Sequence, residues 1–498
     1  MYEQPNAHLL NTELSASFDQ NLSSIRTILN VPDNKDVVLR LYGCEGFRLC
    51  AVYVEGMADD RKISEFILHA CKDSDFRNNA GTDGRIDLLI RESIEIAQCS
   101  RESQMKEIIA AILGGMTVVI VEDASEAILL ETRGFAHRPV GKPSNEAVVI
   151  GAQEGFVESL RTNITLVRRY VQSPNLITER LTAGTKLPCG VALMYLKGVA
   201  DDSIIEEARR RLKSIDLPSI QGVGSIQQLI EDQPHALFPQ MLQTERPDRA
   251  ASCLKEGQFI ILAENSPYAL TAPITLFHLI HASDDTFMRW QYATFLRVIR
   301  IIGIVTSLLL PGFYVALTLH HTHLIPLSLL LSIAETRADV PFSILFEVLL
   351  MEFCFYLINE AGTRIPSQIG PTVSIVGALI LGQAAVSASI ISPILIILIA
   401  LTGLGNYAVP NYGLNLALIL YRQLVILASG MLGLYGLMAA AVLISVHLSS
   451  VHSFGVPYLA PVAPQHPHNP DILLRLSIRR QKKPMFYAKQ GSWMEDRT

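Results

Sequence analysis

The chain has 498 residues, a formal net charge of −6, and 18% charged against 49% hydrophobic residues. Its length allows about three domains of ordinary size, and its negative charge gives no reason to expect nucleic-acid binding. The low charged fraction points instead to a chain that lies partly in lipid.

Charged residues are distributed very unevenly along the chain. Residues 1–300 have the charge of an ordinary soluble sequence, whereas residues 301–450 contain eight Asp, Glu, Lys or Arg side chains. These eight are Glu335, Arg337, Asp339, Glu347, Glu352, Glu360, Arg364 and Arg422. Because hydrocarbon accommodates charge only at high cost, the pattern predicts a soluble module followed by an α-helical polytopic transmembrane domain.

The two ends of the chain predict its orientation. Residues 1–20 lack a basic segment followed by an apolar one, so we expect no signal peptide and a cytosolic soluble module. Basic residues follow the last apolar run and favour the cytosolic side: Arg475, Arg479, Arg480, Lys482, Lys483 and Lys489. With both termini inside, the number of spans is even. The seven cysteines form no C-x-x-C pair, and we expect them to be reduced.

The soluble module contains two copies of one unit, offset by 142 residues. Seven of the thirteen positions from 53 to 65 are identical to those from 195 to 207. The identical pairs are Tyr53 and Tyr195, Gly56 and Gly198, Ala58 and Ala200, Asp59 and Asp201, Asp60 and Asp202, Ile63 and Ile205, and Glu65 and Glu207. The same offset relates Asn21 to Asn163 and Arg26 to Arg168. This constant register indicates duplication of a whole subdomain.

Each copy is predicted to have an α/β fold. We expect strands at Arg48–Val54, Thr117–Val121, Val191–Leu196 and Phe259–Ala263, and helices at Ile63–Cys71 and Ile204–Leu212. The aspartate pairs at 59–60 and 201–202 precede these helices. An aspartate at a helix start accepts hydrogen bonds from free N–H groups, so capping is favoured over metal binding.

Composition divides the chain into five segments. They are residues 1–150 as the first α/β subdomain, 151–283 as the second, 284–300 as an amphipathic linker helix, 301–450 as the transmembrane domain and 451–498 as a basic cytosolic tail. The apolar runs lie at Ile301–His320, Leu324–Ile333, Ser343–Asn359, Thr372–Ser389, Pro393–Tyr407 and Leu424–Val446. Several are shorter than the ~20 residues that a span requires. We expect four full spans with broken or interfacial pieces, and six spans as the alternative.

Three acidic residues lie where charge is costly. Glu347, Glu352 and Glu360 fall on or just beyond the run Ser343–Asn359. They are candidates to line an aqueous vestibule or to bind a cation. The alternative is an interfacial helix that presents its acids to water and headgroups.

The run Thr372–Ser389 is rich in small residues, which let helices approach closely. A ring of such helices could line a narrow pore, whose inward face would carry Val373, Val376, Ile380 and Gln383. The aliphatic members of this face would gate by dewetting. Close packing within one protomer is the alternative.

The remaining polar residues of this half favour ordinary roles. His320, His321 and His323 cluster at a membrane edge, where a turn is favoured over a metal site because no Cys or carboxylate accompanies them. Arg422 lies between two apolar runs, so a loop or headgroup position is predicted. The sequence carries no nucleophile, phosphate-loop or zinc motif, and we expect no enzyme, no cofactor and no metal.

Motifs on both sides of the soluble–apolar break carry a family resemblance. The soluble side has Ser173–Leu181 (SPNLITERL), Phe238–Gln240 (FPQ), Thr244–Asp248 (TERPD), Ser266-Pro267, Asp284-Asp285 and Arg289-Trp290. The apolar side has Val340–Phe342 (VPF), Glu360–Gly362 (EAG), Gly382–Val386 (GQAAV), Phe454-Gly455 and Pro457-Tyr458. Together these resemble the A subunit of the GerA-type spore germinant receptors, from about residue 155 to 465.

The resemblance implies a role, partners and a location. It implies a subunit in the inner membrane of spores that acts with a transporter-like B subunit and a lipoprotein C subunit. Such A subunits would oligomerise, as a pentamer, and conduct cations when nutrient binds elsewhere, with Thr372–Ser389 as the pore helix. Candidate coupling residues are then Glu245, Arg246, Asp248, Asp284, Asp285, Arg289 and Trp290.

Two other classes of protein stay open. A secondary transporter would carry its own substrate site, but such proteins usually repeat their spans, and the repeat here lies in the soluble half. A membrane scaffold without conduction is the third possibility. The sequence names neither the nutrient nor the ion.

Overall fold

The computed structural model describes residues 7–44, 47–64, 86, 90, 98–134, 143, 146, 150–364, 382–464 and 471–477. Two five-stranded antiparallel sheets with their helices make up the part before residue 284, and helices dominate the rest. The predicted fold class is confirmed at this level: mixed α/β sheets precede a helical part.

The first α/β unit is built around one sheet with helices against it. Its helices are α1 (Ala7–Leu10), α2 (Phe18–Ile28) and α3 (Met105–Leu113), and its strands are β1 (Val37–Cys44), β2 (Phe47–Val54), β3 (Cys99–Glu102), β4 (Thr117–Val121) and β5 (Ala127–Leu130). The strand order is β1-β2-β4-β5-β3. Alternate residues of β4 face opposite cores, since Val118 and Ile120 pack with α2 and α3 while Val119 and Val121 pack on the other face.

The second unit repeats this arrangement. Its helices are α4 (Leu160–Tyr170), α5 (Asp202–Lys213), α6 (Val223–Ile230), α7 (Pro247–Lys255) and α8 (Leu276–Ile280), and its strands are β6 (Leu176–Ala183), β7 (Cys189–Leu196), β8 (Leu242–Thr244), β9 (Phe259–Ala263) and β10 (Ala269–Ala272). The strand order, β6-β7-β9-β10-β8, is that of the first sheet. Helices α4 and α7 cover one face of the sheet, and α5 and α6 cover the other.

The 142-residue offset extends to the backbone. In the sheets, Leu49 pairs with Val121 and Val191 pairs with Ala263, so the central pairing keeps the same register in both units. Glycines at equivalent turns share a positive φ, which is 86° at Gly56 and 85° at Gly198, 91° at Gly115 and 93° at Gly257. A side chain is strained at such φ values, so each unit requires glycine at these turns.

The predicted caps and the two asparagines related by the repeat have local roles. Asp201 is the N-cap of α5, and its side chain accepts a hydrogen bond of 2.9 Å from the backbone N–H of Ser203. The prediction of capping is therefore confirmed. Asn163 closes a loop by bonding both backbone groups of Val157, and Asn21 does the same with Ser15 in the first unit.

A buried ion pair joins the two units. Arg168 of α4 donates from Nε and Nη2 to the two carboxylate oxygens of Asp36, at 2.5 and 2.6 Å. It also donates to Asn34, at 2.8 Å. Arg168 and Asp36 are 1% and 0% exposed. Because an unpaired buried charge is costly, this contact strongly favours one arrangement of the two units.

The helical part begins with a bend and a long helix. After α9 (Asp284–Phe287) the chain turns at Met288, and Trp290 opens α10 (Trp290–His320), which measures about 46 Å over its 31 residues. The sequence predicted a separate linker helix over 284–300. Instead, its second half continues without a break into the apolar run, because no Gly or Pro interrupts residues 290–302.

Further helices follow α10 in the chain. They are α11 (Leu327–Thr336), α12 (Ile344–Arg364), α13 (Pro393–Tyr407), α14 (Tyr412–Leu432) and α15 (Leu434–Ser450), with a 3₁₀ turn at Thr322–Leu324 and helical residues at 382–387. The predicted run Leu424–Val446 is divided between α14 and α15 because Gly433 adopts a φ of 63°. By length and composition, α10 and α14 could each cross a membrane, and α11, α13 and α15 are shorter apolar helices.

Glycines allow α10 to lie very close to its neighbours. A Cβ atom on Gly405 would lie 2.6 Å from the carbonyl oxygen of Gly303, and one on Gly312 would lie 2.6 Å from Val425. Backbones therefore touch at these crossings, as small residues permit between apolar helices.

Candidate functional site

The chain returns to the second unit after its last helix. A short hairpin, β11 (His452–Ser453) with β12 (Val456–Pro457), brings Phe454 against Phe259, with ring centroids 5.0 Å apart at 84°. The Tyr458 hydroxyl donates to the Pro239 carbonyl at 2.8 Å. The Ser453 hydroxyl donates to the Gln240 carbonyl at 2.6 Å. Motifs more than 200 residues apart thus form one junction, with the second α/β unit on one side and the helices on the other.

Three predicted coupling residues lie at the start of α7. Arg246 is fully buried and makes a two-point ion pair with Asp248, at 3.1 and 2.8 Å. The backbone N–H of Glu245 donates to Glu146, and its carbonyl accepts from Phe156. Pro247 then occupies the first turn of the helix, where its missing N–H costs nothing. These residues fix the position of α7.

Arg249, on the next turn of α7, was not predicted. It pairs with Glu146 at 2.5 Å and donates to the backbone carbonyls of His278 and His281, each at 3.1 Å. Both carbonyls lie at the C-terminal end of α8, where helical acceptors lack partners. Arg249 therefore ties α7 to the segment that leads into the helical part. Arg249 directly follows the motif TERPD, so its place next to that motif is the one sequence signal that could have suggested a role for it.

The centre of the junction is Asp285. Its carboxylate accepts from Arg297 at 3.0 Å and from Arg300 at 2.8 Å, both of which lie on α10. Burial alone would raise the pKa of Asp285, but the ion pairs with Arg300 and Arg297 lower it overall. The carboxylate is therefore charged, and it binds α10 to the end of the second α/β unit.

A returning C-terminal segment completes this network. Asp471 accepts from Arg297 at 2.7 Å, and Thr294 donates to the carbonyl of Arg475 at 2.9 Å. The ring Nε2 of His281 bonds the Ile472 carbonyl at 2.6 Å. Burial, reinforced by the charge of Arg297, lowers the pKa of His281 to about 3, so the ring is neutral. No sequence signal near 471 indicated these contacts.

The other predicted coupling residues have different surroundings. Asp284 lies beside Asp285 in α9, and Arg289 and Trp290 are exposed at the start of α10. Of the seven candidates, the structure thus brings Asp285 into the Arg297 network and places Glu245, Arg246 and Asp248 in the neighbouring α7 network.

The acidic residues of α12 divide into two buried ones and one exposed one. Glu347 pairs with Arg337, and its other oxygen accepts from the backbone N–H of Ser392 at 2.6 Å. Glu352 lies 3.1 Å from the Nε of Arg422. Glu360 is exposed. Glu347 and Glu352 are therefore held in ion pairs between helices.

Arg422 lies inside helix α14 and is 1% exposed, so the predicted loop or headgroup position is wrong. Its guanidinium pairs with Glu352 and donates to the Tyr356 hydroxyl, which in turn donates to Glu352 at 2.6 Å. It also donates to the carbonyl of Ser307 at 3.1 Å and to Asn406 at 3.2 Å. One charged group thus contacts α10, α12 and α13. The prediction failed because the compensating partners are distant in sequence.

The candidate pore face is only partly visible. Val373, Val376 and Ile380 lie outside the described residues, and Gln383 is exposed on the helical residues 382–387. The histidine cluster lies at a turn, as predicted, since His320 ends α10 and His323 lies in the 3₁₀ turn Thr322–Leu324. His320 bonds the Gly430 carbonyl at 2.9 Å, and His321 bonds that of Ala316. Within the described ranges, no group of three or more His, Cys, Asp or Glu is placed to hold a metal ion.

These features define a class of protein in which a duplicated α/β module is joined by buried ion pairs to a set of apolar helices. The chain belongs to the family described as Bacillus/Clostridium GerA spore germination protein, whose sequence model matches residues 23–486. The resemblance drawn from the motifs is confirmed, and the match includes most of the first α/β unit as well.

Individual relatives agree with this assignment. Spore germination protein KA of Bacillus subtilis (strain 168) is 35% identical over 454 residues, which cover 91% of this chain and 82% of that protein. Spore germination protein A1 of the same organism is 34% identical over 474 residues, 95% and 96% of the two chains. The uncharacterized membrane protein YfkQ, also from Bacillus subtilis, is 33% identical over 458 residues, 91% and 87% of the two chains.

One solved structure is also similar. The crystal structure of the N-terminal domain of the A subunit of the Bacillus megaterium spore germinant receptor GerK3 is 27% identical to this chain. It covers 53% of this chain and 96% of its own, with a TM-score of 0.41.

Proposed function

We propose that this chain is the A subunit of a nutrient germinant receptor in the inner membrane of spores. In this proposal it acts with a transporter-like B subunit and a lipoprotein C subunit. Copies of the chain oligomerise, as a pentamer, into a cation channel that opens when a partner subunit binds nutrient. Membership of the spore germination family supports the receptor role.

The observation that carries the coupling part of the proposal is the Asp285 network. Asp285 ends the soluble part, and its two arginine partners lie one turn apart on the 31-residue helix α10. The pairs are buried, so they are screened little by solvent or salt. A movement of the second α/β unit would therefore be transmitted to α10.

The proposed topology is polytopic, with both termini in the cytosol. The apolar helices α10 and α14 have the length and composition of spans, and their outward faces carry many exposed apolar side chains. Large exposed side chains on these two helices include Ile302, Val305, Phe313, Leu416, Leu420, Leu424, Leu427 and Met431. A lipid environment would cover these surfaces.

The proposed pore is formed by the run 372–389 from several copies. Gln383 supports this assignment because it is exposed within one protomer and can face a neighbouring copy. Val373, Val376 and Ile380 would complete the inward face. Glu360 is the acidic residue of α12 that stays exposed, and we assign it to the vestibule.

Ion flux through the purified protein tests the channel proposal. The full chain would be reconstituted in liposomes loaded with potassium, and its mass in detergent measured by light scattering. We expect an oligomer, and we expect Val376→Ala and Gln383→Ala to raise cation efflux. Ser445→Ala is the matched control, because Ser445 is exposed on α15 and bonds only its own helix.

The alternative classes give different results. A monomer that accumulates a solute against its gradient would indicate a secondary transporter. An oligomer without efflux, including with both pore substitutions, would indicate a non-conducting scaffold. Either outcome would overturn the channel proposal.

A further inference from the structure

Glu347 is a buried carboxylate to which the proposed channel assigns no function. It is fully buried on the first turn of α12, and one of its oxygens pairs with Arg337. Its other oxygen accepts a hydrogen bond of 2.6 Å from the backbone N–H of Ser392, which is also fully buried. Because a carboxylate among apolar helices is costly, its contacts are informative about its role.

The contact with Ser392 completes the start of helix α13. Ser392 is the N-cap of α13, but its own side chain makes no capping hydrogen bond. In a capping box, a Glu or Gln at the third helical position accepts from the N–H of the N-cap residue. Leu395 occupies that position here and has no acceptor. Glu347 therefore supplies the acceptor from α12, and its negative charge suits a helix N-terminus.

The turn before Ser392 ends the candidate pore segment, residues 372–389. The N–H of Ile390 donates to the Ala385 carbonyl at 2.9 Å, and Ser389 has a φ of 51°. This is a left-handed helix terminus formed without the usual glycine. Two residues separate Ser389 from Ser392. A contact that fixes Ser392 therefore also fixes the end of the pore segment.

The same contact lies far from the Asp285 network. A Cβ atom on Gly430 would lie 2.8 Å from Leu345, which is two residues before Glu347 on α12. The carbonyl of Gly430 bonds His320, the last residue of α10. Since the arginine partners of Asp285 lie near the other end of this 31-residue helix, the two ends of α10 carry separate polar contacts.

Arg337 supports the carboxylate from α11. It is the C-cap of that helix, and its Nη2 donates to the carbonyl of Phe342 at 3.2 Å. Phe342 ends the VPF motif, which lies between α11 and α12. The opposite charge of Arg337 makes the burial of Glu347 tolerable. A charged acceptor also binds the Ser392 N–H more strongly than a neutral one would.

We propose that Glu347 is a positioning residue, which anchors the end of the pore segment at Ser389–Ser392 and thereby holds the pore closed. The proposal rests on the proposed function, because it takes residues 372–389 as the pore. Glu347 is buried inside one protomer, so it does not line the ion path. Its loss would free the turn, and the pore segment would no longer be held in its closed position.

Hydrogen exchange of the full chain in detergent tests the anchor without requiring conduction. We expect Glu347→Met to speed exchange of residues 385–392, relative to α15, at least about tenfold, because the Ser392 N–H loses its acceptor. Glu352→Met is the matched control, since it removes a second buried carboxylate of α12, one that pairs with Arg422. In the control this ratio should equal that of the wild type. Equal ratios in the two variants would overturn the proposal.

A milder substitution keeps the test decisive if Glu347→Met does not fold, which its unfolding temperature reports. Glu347→Gln keeps an acceptor for the Ser392 N–H but removes the negative charge. We expect exchange of residues 385–392 to rise about three- to tenfold, because a hydrogen bond to a neutral acceptor is weaker. Exchange equal to that of the wild type in every folded Glu347 variant would overturn the proposal.

Potassium efflux from liposomes tests the consequence for the pore. We expect Glu347→Met to raise efflux at rest above that of the wild type and of Glu352→Met. If Val376→Ala raises efflux and Glu347→Met does not, the anchor does not hold the pore closed and the proposal is overturned. If the wild type and every variant fail to conduct, the channel proposal fails instead, and the exchange measurement still decides whether Glu347 anchors the turn.

Discussion

Arg422 donates a hydrogen bond of 3.1 Å to the backbone carbonyl of Ser307, a group that helix α10 itself cannot satisfy. In an α-helix this carbonyl would accept from residue 311, but Pro311 has no N–H. The same guanidinium pairs with the buried carboxylate of Glu352. A backbone defect in one helix and a buried charge on another are therefore satisfied by one side chain.

We predict that Arg422→Gln destabilises the helical part by about 3–5 kcal/mol, because it leaves Glu352 buried without a counter-charge. Urea or SDS titration of the purified protein, followed by circular dichroism, measures the loss. The double variant Glu352→Gln/Arg422→Gln should recover part of it, since no buried charge remains. If the double variant is as unstable as the sum of the two single variants, the residues are not coupled.

The stability of the contact between the two α/β units should depend on Arg168 in the same way. Arg168→Gln leaves Asp36 buried and unpaired, and we expect a loss of about 3–5 kcal/mol and faster proteolysis between the units. The matched control is Arg161→Gln, two turns away on α4, whose pair with Asp60 is exposed. Exposed pairs contribute about 0–1 kcal/mol, so this variant should resemble the wild type. Equal effects of both substitutions would contradict the prediction.

Close helix packing predicts a steric effect at Gly405. In Gly405→Ala the new methyl group would lie 2.6 Å from the Gly303 carbonyl, so α10 and α13 must separate. We expect a lower unfolding temperature, with a cost of about 1–3 kcal/mol. Gly224→Ala on α6 is the control, because its nearest atom is 3.8 Å away and alanine favours helix. A neutral Gly405→Ala would show that the helices are looser than described.

The neutral ring of His281 predicts that the junction is weakened by acid. The folded pKa is about 3, whereas an unfolded histidine has a pKa of about 6.5. Since the folded value is the lower one, the stabilisation is present above about pH 6.5 and is lost as the pH falls towards 3, with a slope approaching ~1.4 kcal/mol per pH unit. Asp285, whose pKa is also lowered, adds a loss below its own unfolded pKa of about 3.9.

Thermal unfolding between pH 7 and pH 4.5 measures this effect. Trp290, one of two tryptophans in the chain, lies at the junction and provides a fluorescence signal. His281→Gln keeps a donor for the Ile472 carbonyl but cannot titrate, so its unfolding temperature should fall less than that of the wild type over this range. Parallel curves for the two proteins would rule out His281 as the titrating group.

Local patterns were sufficient to predict many elements. The strands Thr117–Val121 and Phe259–Ala263 and the helix Pro393–Tyr407 have the predicted bounds. Each is an apolar run with a glycine or proline at its boundary, so the signal lies within a few residues. The cap at Asp201 was predictable for the same reason, since an N-cap depends on its own side chain and the next turn.

Contacts between distant segments could not be predicted in this way. The sequence shows that Arg422 lies among apolar residues, where a buried charge is unfavourable. It does not show the ion pair with Glu352 that offsets this cost, because the two residues come together only in the folded chain. The partnership of Arg297 with Asp471 was hidden for the same reason. The family motifs marked the region of the junction but not its pairs, because a motif identifies residues without their distances.

The position of Arg300 on α10 has a mechanical consequence. In the proposed topology, the residues between it and His320 measure about 30 Å, which equals the thickness of the hydrocarbon layer. The apolar part of the helix is therefore no longer than the layer is thick. The ion pairs of Asp285 hold its N-terminal part against the second α/β unit. Vertical sliding would drag either arginine or histidine into lipid. Tilting of α10 and rotation about its own axis are the movements that keep these charged and polar side chains out of lipid.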